Sequence, residues 1–159
     1  MLPPEAIQVI ENTPSRVVIL DPPNYSFGAW LLFMAVVVGG IAAFLFLRGF
    51  LPELSAILLL VFVALAAFGA YLMTSKRLIS LSRSEGVLTV EKGTWGRSHL
   101  EATIPLERIR RADVQNIGYA HSIAIVMQSG EEFSLSDGSN RQGYSGAVDA
   151  MNDFLGGSR

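Results

Sequence analysis

FGAWLLFMAVVVGGIAAFLFL, from Phe27 to Leu47, runs without a formal charge. At about 1.5 Å of rise per residue, such a helix crosses a hydrocarbon core of roughly 30 Å. A second run, LSAILLLVFVALAAFGAYLM from Leu54 to Met73, matches it in length and apolarity. Between them stand Arg48, Gly49, Phe50, Leu51, Pro52 and Glu53. Glycine permits a tight reversal, and Pro52 suits the first turn of a helix, where its missing N–H costs little. The pattern predicts a transmembrane hairpin over 27–73, made of antiparallel helices at 27–47 and 54–73. The connection is too short for a folded domain, so extramembranous function is expected at the termini.

Small residues recur along both helices: Ala35, Gly39 and Ala43 in the first, Ala66 and Ala70 in the second. Such stripes let helix backbones approach closely in lipid. They fit packing within the hairpin, and they equally fit docking on a membrane complex or a second copy. Tyr25, Trp30 and Tyr71 are expected as aromatic anchors at one interface. Lys76, Arg77 and Arg83 follow the second helix and Arg16 precedes the first, against Arg48 alone in the turn. This bias places both termini in the cytoplasm, as for a multi-pass protein of a bacterial inner or intracytoplasmic membrane.

Composition narrows the function classes. Only 16% of residues are charged and the net charge is -2, with no long basic stripe, which argues against nucleic acid as a partner. There is no cysteine, which excludes disulfides, zinc–thiolate sites, iron–sulfur clusters and thiol catalysis. Residues 1–26 hold Glu5, Glu11, Asp21 and several prolines, unlike a signal peptide. They read as a polar arm, unstructured over 1–14, with one strand at Arg16–Leu20 that pairs with the C-terminal sheet or with a partner.

After Thr74 the texture becomes β-rich over 74–159. Strands are predicted near Arg77–Leu81, Val87–Trp95, His99–Ile104, Arg110–Ile117, Ser122–Met127 and Glu132–Ser136. Ala147, Val148, Met151, Phe154 and Leu155 share one face of a predicted helix over 144–155, ended by Gly156 and Gly157. The expected fold is an α-helical membrane hairpin plus an α+β domain, a bent antiparallel sheet covered by the C-terminal helix.

Two short motifs carry a resemblance. Thr74-Ser75-Lys76-Arg77-Leu78-Ile79 follows the hairpin, and Ile104-Pro105-Leu106-Glu107-Arg108-Ile109 follows the next strand pair. The chain over Phe27–Leu155 resembles bacterial membrane proteins that place a pleckstrin-homology-like domain after two transmembrane helices. The resemblance implies seven strands in one strongly bent sheet closed by a helix. Six strands are read after the membrane, so the seventh is missing, hidden in the pattern, or supplied by Arg16–Leu20. It also implies a scaffolding, assembly or regulatory role rather than catalysis, and related domains occur in assembly proteins of photosynthetic membranes. Lys92 and Arg97 stand beside Glu91 and Glu101, so no lipid-binding residues carry over.

Candidate sites are few. Arg108, Arg110 and Arg111 form the densest basic cluster, either a solvated edge or a contact for an anionic lipid or acidic partner. His99 and His121 lack neighbours at metal-ligand spacing, and no cofactor is expected. No nucleophile elbow or paired-carboxylate arrangement points to an enzyme. The segment from Asp137 to Tyr144 lacks the acidic end-ligand of an EF-hand and reads as a helix approach. Trp95 fits core, interface or membrane contact. The expected function is a non-catalytic structural or assembly subunit of a larger bacterial membrane complex, with a photosynthetic one in view. The alternative is a membrane-anchored module binding anionic lipid or a transient partner.

Overall fold

The computed structural model describes residues 6–49, 52–94, 97–118, 120–136 and 142–157. The expectations for Trp95, for residues 1–5, for Phe50 and Leu51 and for residues 137–141 lie outside them. The chain divides into an α/β unit (Pro3–Pro22 with Lys76–Arg159) and a helical unit (Pro23–Ser75).

The α/β unit begins with strand β1 (Gln8–Asn12) and β2 (Arg16–Asp21). Pro14 and Ser15 form the turn between them. Thr13 closes it: its N–H donates to the Arg16 carbonyl at 2.9 Å, and its hydroxyl accepts from the Arg16 N–H at 3.0 Å. Residues 8–12 are therefore a strand and not part of a tail. After the helical unit come β3 (Lys76–Ser82), β4 (Val87–Thr94), β5 (Arg97–Pro105), a 3-10 turn (Leu106–Arg108), β6 (Ile109–Ile117), β7 (Ala120–Met127), β8 (Glu132–Ser134) and helix α3 (Tyr144–Gly156). Of the two partners open to the strand near 16–20, it takes the sheet: β2 pairs antiparallel with β3, Val17 opposite Leu81 and Ile19 opposite Ile79.

The single bent, helix-closed sheet is corrected by the strand order. There are two open antiparallel sheets, β1-β2-β3-β4-β5 and β6-β7-β8. The break falls where Pro105, which lacks an N–H, leads into the 3-10 turn. Leu106 N–H then donates to the Gly86 carbonyl at 2.9 Å, and the Arg108 carbonyl accepts from Gln128 N–H at 2.7 Å, so the chain leaves one sheet and enters the other. The free edge of β6 meets α3 instead of a strand. At Ala112, Asn152 Oδ1 accepts from the backbone N–H at 2.8 Å and Nδ2 donates to the carbonyl at 3.0 Å. A side-chain amide thus takes the place of a neighbouring strand. With eight strands among the described residues, split five and three, the pleckstrin-homology-like fold and the family resemblance built on it do not hold.

One apolar core joins the two sheets and α3. Ile19, Ile79, Leu81, Leu88 and Val90 come from the five-stranded sheet, Ile109, Ile123, Ile125 and Leu135 from the second, and Ala147, Met151 and Phe154 from α3. Full burial of each large side chain contributes about 1.5–3 kcal/mol. Arg83 holds the far end of α3: its guanidinium donates to the Phe154 carbonyl at 2.7 Å and to the Gly157 carbonyl at 3.3 Å, and it lies over the Phe154 ring at 4.8 Å. A cation there complements the negative end of the helix dipole.

The helical unit consists of α1 (Tyr25–Leu47) and α2 (Pro52–Thr74). Asn24 caps α1 by accepting from Phe27 N–H at 3.2 Å. The helices run antiparallel: a Cβ at Gly69 would stand 3.0 Å from the Gly28 carbonyl oxygen, and one at Gly39 would meet the Phe62 ring. Each helix holds an 18-residue stretch with a mean hydropathy of 2.6 and is long and apolar enough to cross a membrane, by length and composition.

The placement as a multi-pass protein of a bacterial inner or intracytoplasmic membrane, with both termini cytoplasmic, is also corrected. Most of the chain belongs to the α/β unit with its own buried core. Only two helices among the described residues reach spanning length, and length and composition select neither a compartment nor a sidedness.

Candidate functional site

The basic cluster is divided by a β-bulge. Ile109 pairs with Met127 and Arg111 with Val126, which leaves Arg110 as the extra residue of β6. A regular strand would place Ile109 and Arg111 on one face. The bulge resets the alternation, so Ile109 and Ala112 are both buried while Arg110 and Arg111 both reach solvent.

The three arginines then part. Arg111 donates to Asp113 at 3.0 Å, an exposed ion pair. Arg108 is exposed and contributes its backbone carbonyl to the β6–β7 corner. Arg110 lines a cleft of about 590 Å³ with Arg83, Glu107, Gln128 and Asn152, beside the C-terminal end of α3. The two cleft amides are committed to backbone groups, Gln128 to the Ile109 carbonyl at 3.3 Å and Asn152 to Ala112. Arg83 is committed to α3. Arg110 has no hydrogen bond or ion pair among the described residues. The cleft therefore offers one free guanidinium, set against the Glu107 carboxylate, with a chemistry of anion contact. Sequence reasoning missed Arg83, Asn152 and Gln128, which lie far from Arg110 along the chain.

The histidines stand apart from it. His121 Nδ1 lies 2.6 Å from Asn116 Oδ1, and its ring meets Tyr144 edge-on at 6.0 Å; His99 is exposed on β5. No three of the described His, Asp and Glu residues are placed to hold a metal ion.

In the helical unit, Ala35 is buried, Gly39, Ala66 and Ala70 are half-buried, and Ala43 is exposed. The buried seam of α1 is Gly28, Leu31, Ala35 and Ala42, facing Ser55 and Gly69 on α2. Outside the seam the surface is apolar: Phe33, Val36, Phe46 and Leu60 are each more than 60% exposed. Trp30 is exposed and stacks on Phe27 at 6.0 Å, while Tyr25 and Tyr71 are half-buried near the same end, Tyr71 stacking on Phe68 at 6.4 Å.

The chain matches no family model and no curated protein. The photosynthetic association rested on the family resemblance alone and falls with it.

Proposed function

We propose that the chain is a non-catalytic structural or assembly subunit of a larger membrane protein complex, held there through the helical unit. The apolar outer surface of α1 and α2 carries this reading. Large side chains such as Val36 and Leu60, 69% and 71% exposed, ring a narrow seam of small residues. Water is a poor solvent for a surface of this kind, which calls for lipid, partner helices or both. The α/β unit, with its own core, is then a domain presented to the partners.

The test is affinity isolation from the native source in mild detergent, with native mass determination. A partner recovered at fixed ratio, and lost when Val36 and Leu60 are replaced by serine, is the expected result. A lone monomer at every detergent concentration would refute it.

A second reading rests on Arg110, the one cleft cation without a partner among the described residues. It makes the α/β unit a module for anionic lipid or an acidic partner. Arg110→Ser would then weaken binding to anionic vesicles more than Arg111→Ser, because Arg111 is already paired with Asp113. Equal effects of the two would remove this reading.

A further inference from the structure

We propose that the groove between the outer edge of β5 and the β7–β8 hairpin takes an extended, basic segment of a partner protein as an added strand. β5 ends the five-stranded sheet and β8 ends the three-stranded one, so two strand edges without a pairing strand among the described residues border this space. An edge strand presents a row of free N–H and C=O groups, which an extended peptide satisfies by β-augmentation. The groove has a volume of about 700 Å³.

Its lining selects the occupant. Ile104, Met127 and Phe133 supply an apolar floor, and the carboxylates of Glu101, Glu131 and Glu132 stand around it with no lysine or arginine among the lining residues. Glu101 already has a cation, Arg77 at 3.1 Å. Glu131 and Glu132 meet neutral groups, the Ser129 hydroxyl at 3.3 Å and the Gln115 amide at 3.4 Å. Two carboxylates beside a free backbone edge thus lack a cation among these contacts, and a basic strand supplies it. Side chains alternate between the two faces of a strand. A segment alternating basic and apolar residues places the apolar ones on the floor and the basic ones toward Glu131 and Glu132. The bulge at Glu101, between the Leu100 and Ala102 pairings, interrupts the edge on one side and confines pairing to the 102–105 end. This inference stands on the α/β unit and is independent of whether the helical unit docks.

The experiment is fluorescence anisotropy on the full chain in neutral detergent, with a labelled peptide alternating lysine and valine. Three results are expected. A glutamate–valine peptide binds far more weakly. N-methylation of the peptide along one edge abolishes binding. Glu131→Gln with Glu132→Gln weakens binding roughly fivefold, as loss of two exposed ion pairs of average strength gives. Equal binding of the lysine and glutamate peptides, or no loss on N-methylation, overturns the proposal. Self-association of the chain that the peptide competes away would give the edge to a second copy and overturn it too.

Discussion

Replacing Asn152 by alanine removes the amide that completes the β6 edge. Ala112 is 3% exposed, and its N–H and C=O both end on that one side chain, at 2.8 and 3.0 Å. Each buried backbone group left without a partner costs about 1–3 kcal/mol. Asn152 is itself half-buried, so water reaches part of the vacated site and the lower end of that range applies. The expected loss is therefore about 2–4 kcal/mol, which at about 4 °C per kcal/mol lowers the melting temperature of the α/β unit by roughly 8–16 °C. Hydrogen exchange adds a local readout, because the Ala112 amide should exchange faster in the variant than in the parent chain, while Asp113, paired with Ala124 of β7, should keep its rate. Asn152→Asp keeps an acceptor for the N–H but faces the Ala112 carbonyl with a second acceptor, so it should rescue little. A fall under about 1 kcal/mol with unchanged exchange at Ala112 would show that the amide is not what holds this edge.

Three further outcomes follow from close approaches and buried hydrogen bonds. Gly143 has φ of 97°, and a Cβ there would overlap the Ile7 carbonyl oxygen; Gly143→Ala should cost ~2–4 kcal/mol in thermal unfolding and loosen the start of β1, where Ile7 N–H donates to the Gln142 carbonyl at 3.0 Å. Ser136→Ala removes the hydroxyl that accepts from Ile123 N–H at 2.8 Å in a buried position, for a loss of about 1–3 kcal/mol in denaturant unfolding. Gly69→Leu should force α1 and α2 apart and lower the thermal stability of the helical unit in detergent, whereas Gly40→Leu, with nothing within 4 Å of its added Cβ, should leave it unchanged.

How much of this was legible depends on what kind of signal each feature leaves in the chain. Long apolar runs announced α1 and α2, and three- and four-residue spacing announced α3, because each reports a whole helical face. The packing seam follows the stripe at Ala35 and Gly39, where an added Cβ would meet the Phe62 ring, and leaves it at Ala43. Four residues turn an α-helix about 40° past a full turn, so a strict four-residue stripe drifts off the contact, and by Ala43 it faces outward. The observed seam steps by three or more residues, through Gly28, Leu31, Ala35 and Ala42. β1 leaves no alternation in the sequence: Val9 and Ile10 are adjacent and both exposed, beside a shift of register, and the strand is held by its backbone pairing to β2.

The division into two sheets left still less trace. The same strand segments serve one sheet or two, and the choice rests on Pro105 at a corner and Asn152 on an edge, single residues without a period. The cleft has the same origin. Arg108, Arg110 and Arg111 look like one cluster in the sequence, and only the bulge at Arg110 separates a free guanidinium from one paired with Asp113. Hydrophobic periodicity states which face a residue takes. The sheet division, the cleft and the β5 groove are all properties of strand edges, which have no periodicity to read, so the part of the molecule most suited to binding is the part its sequence describes least.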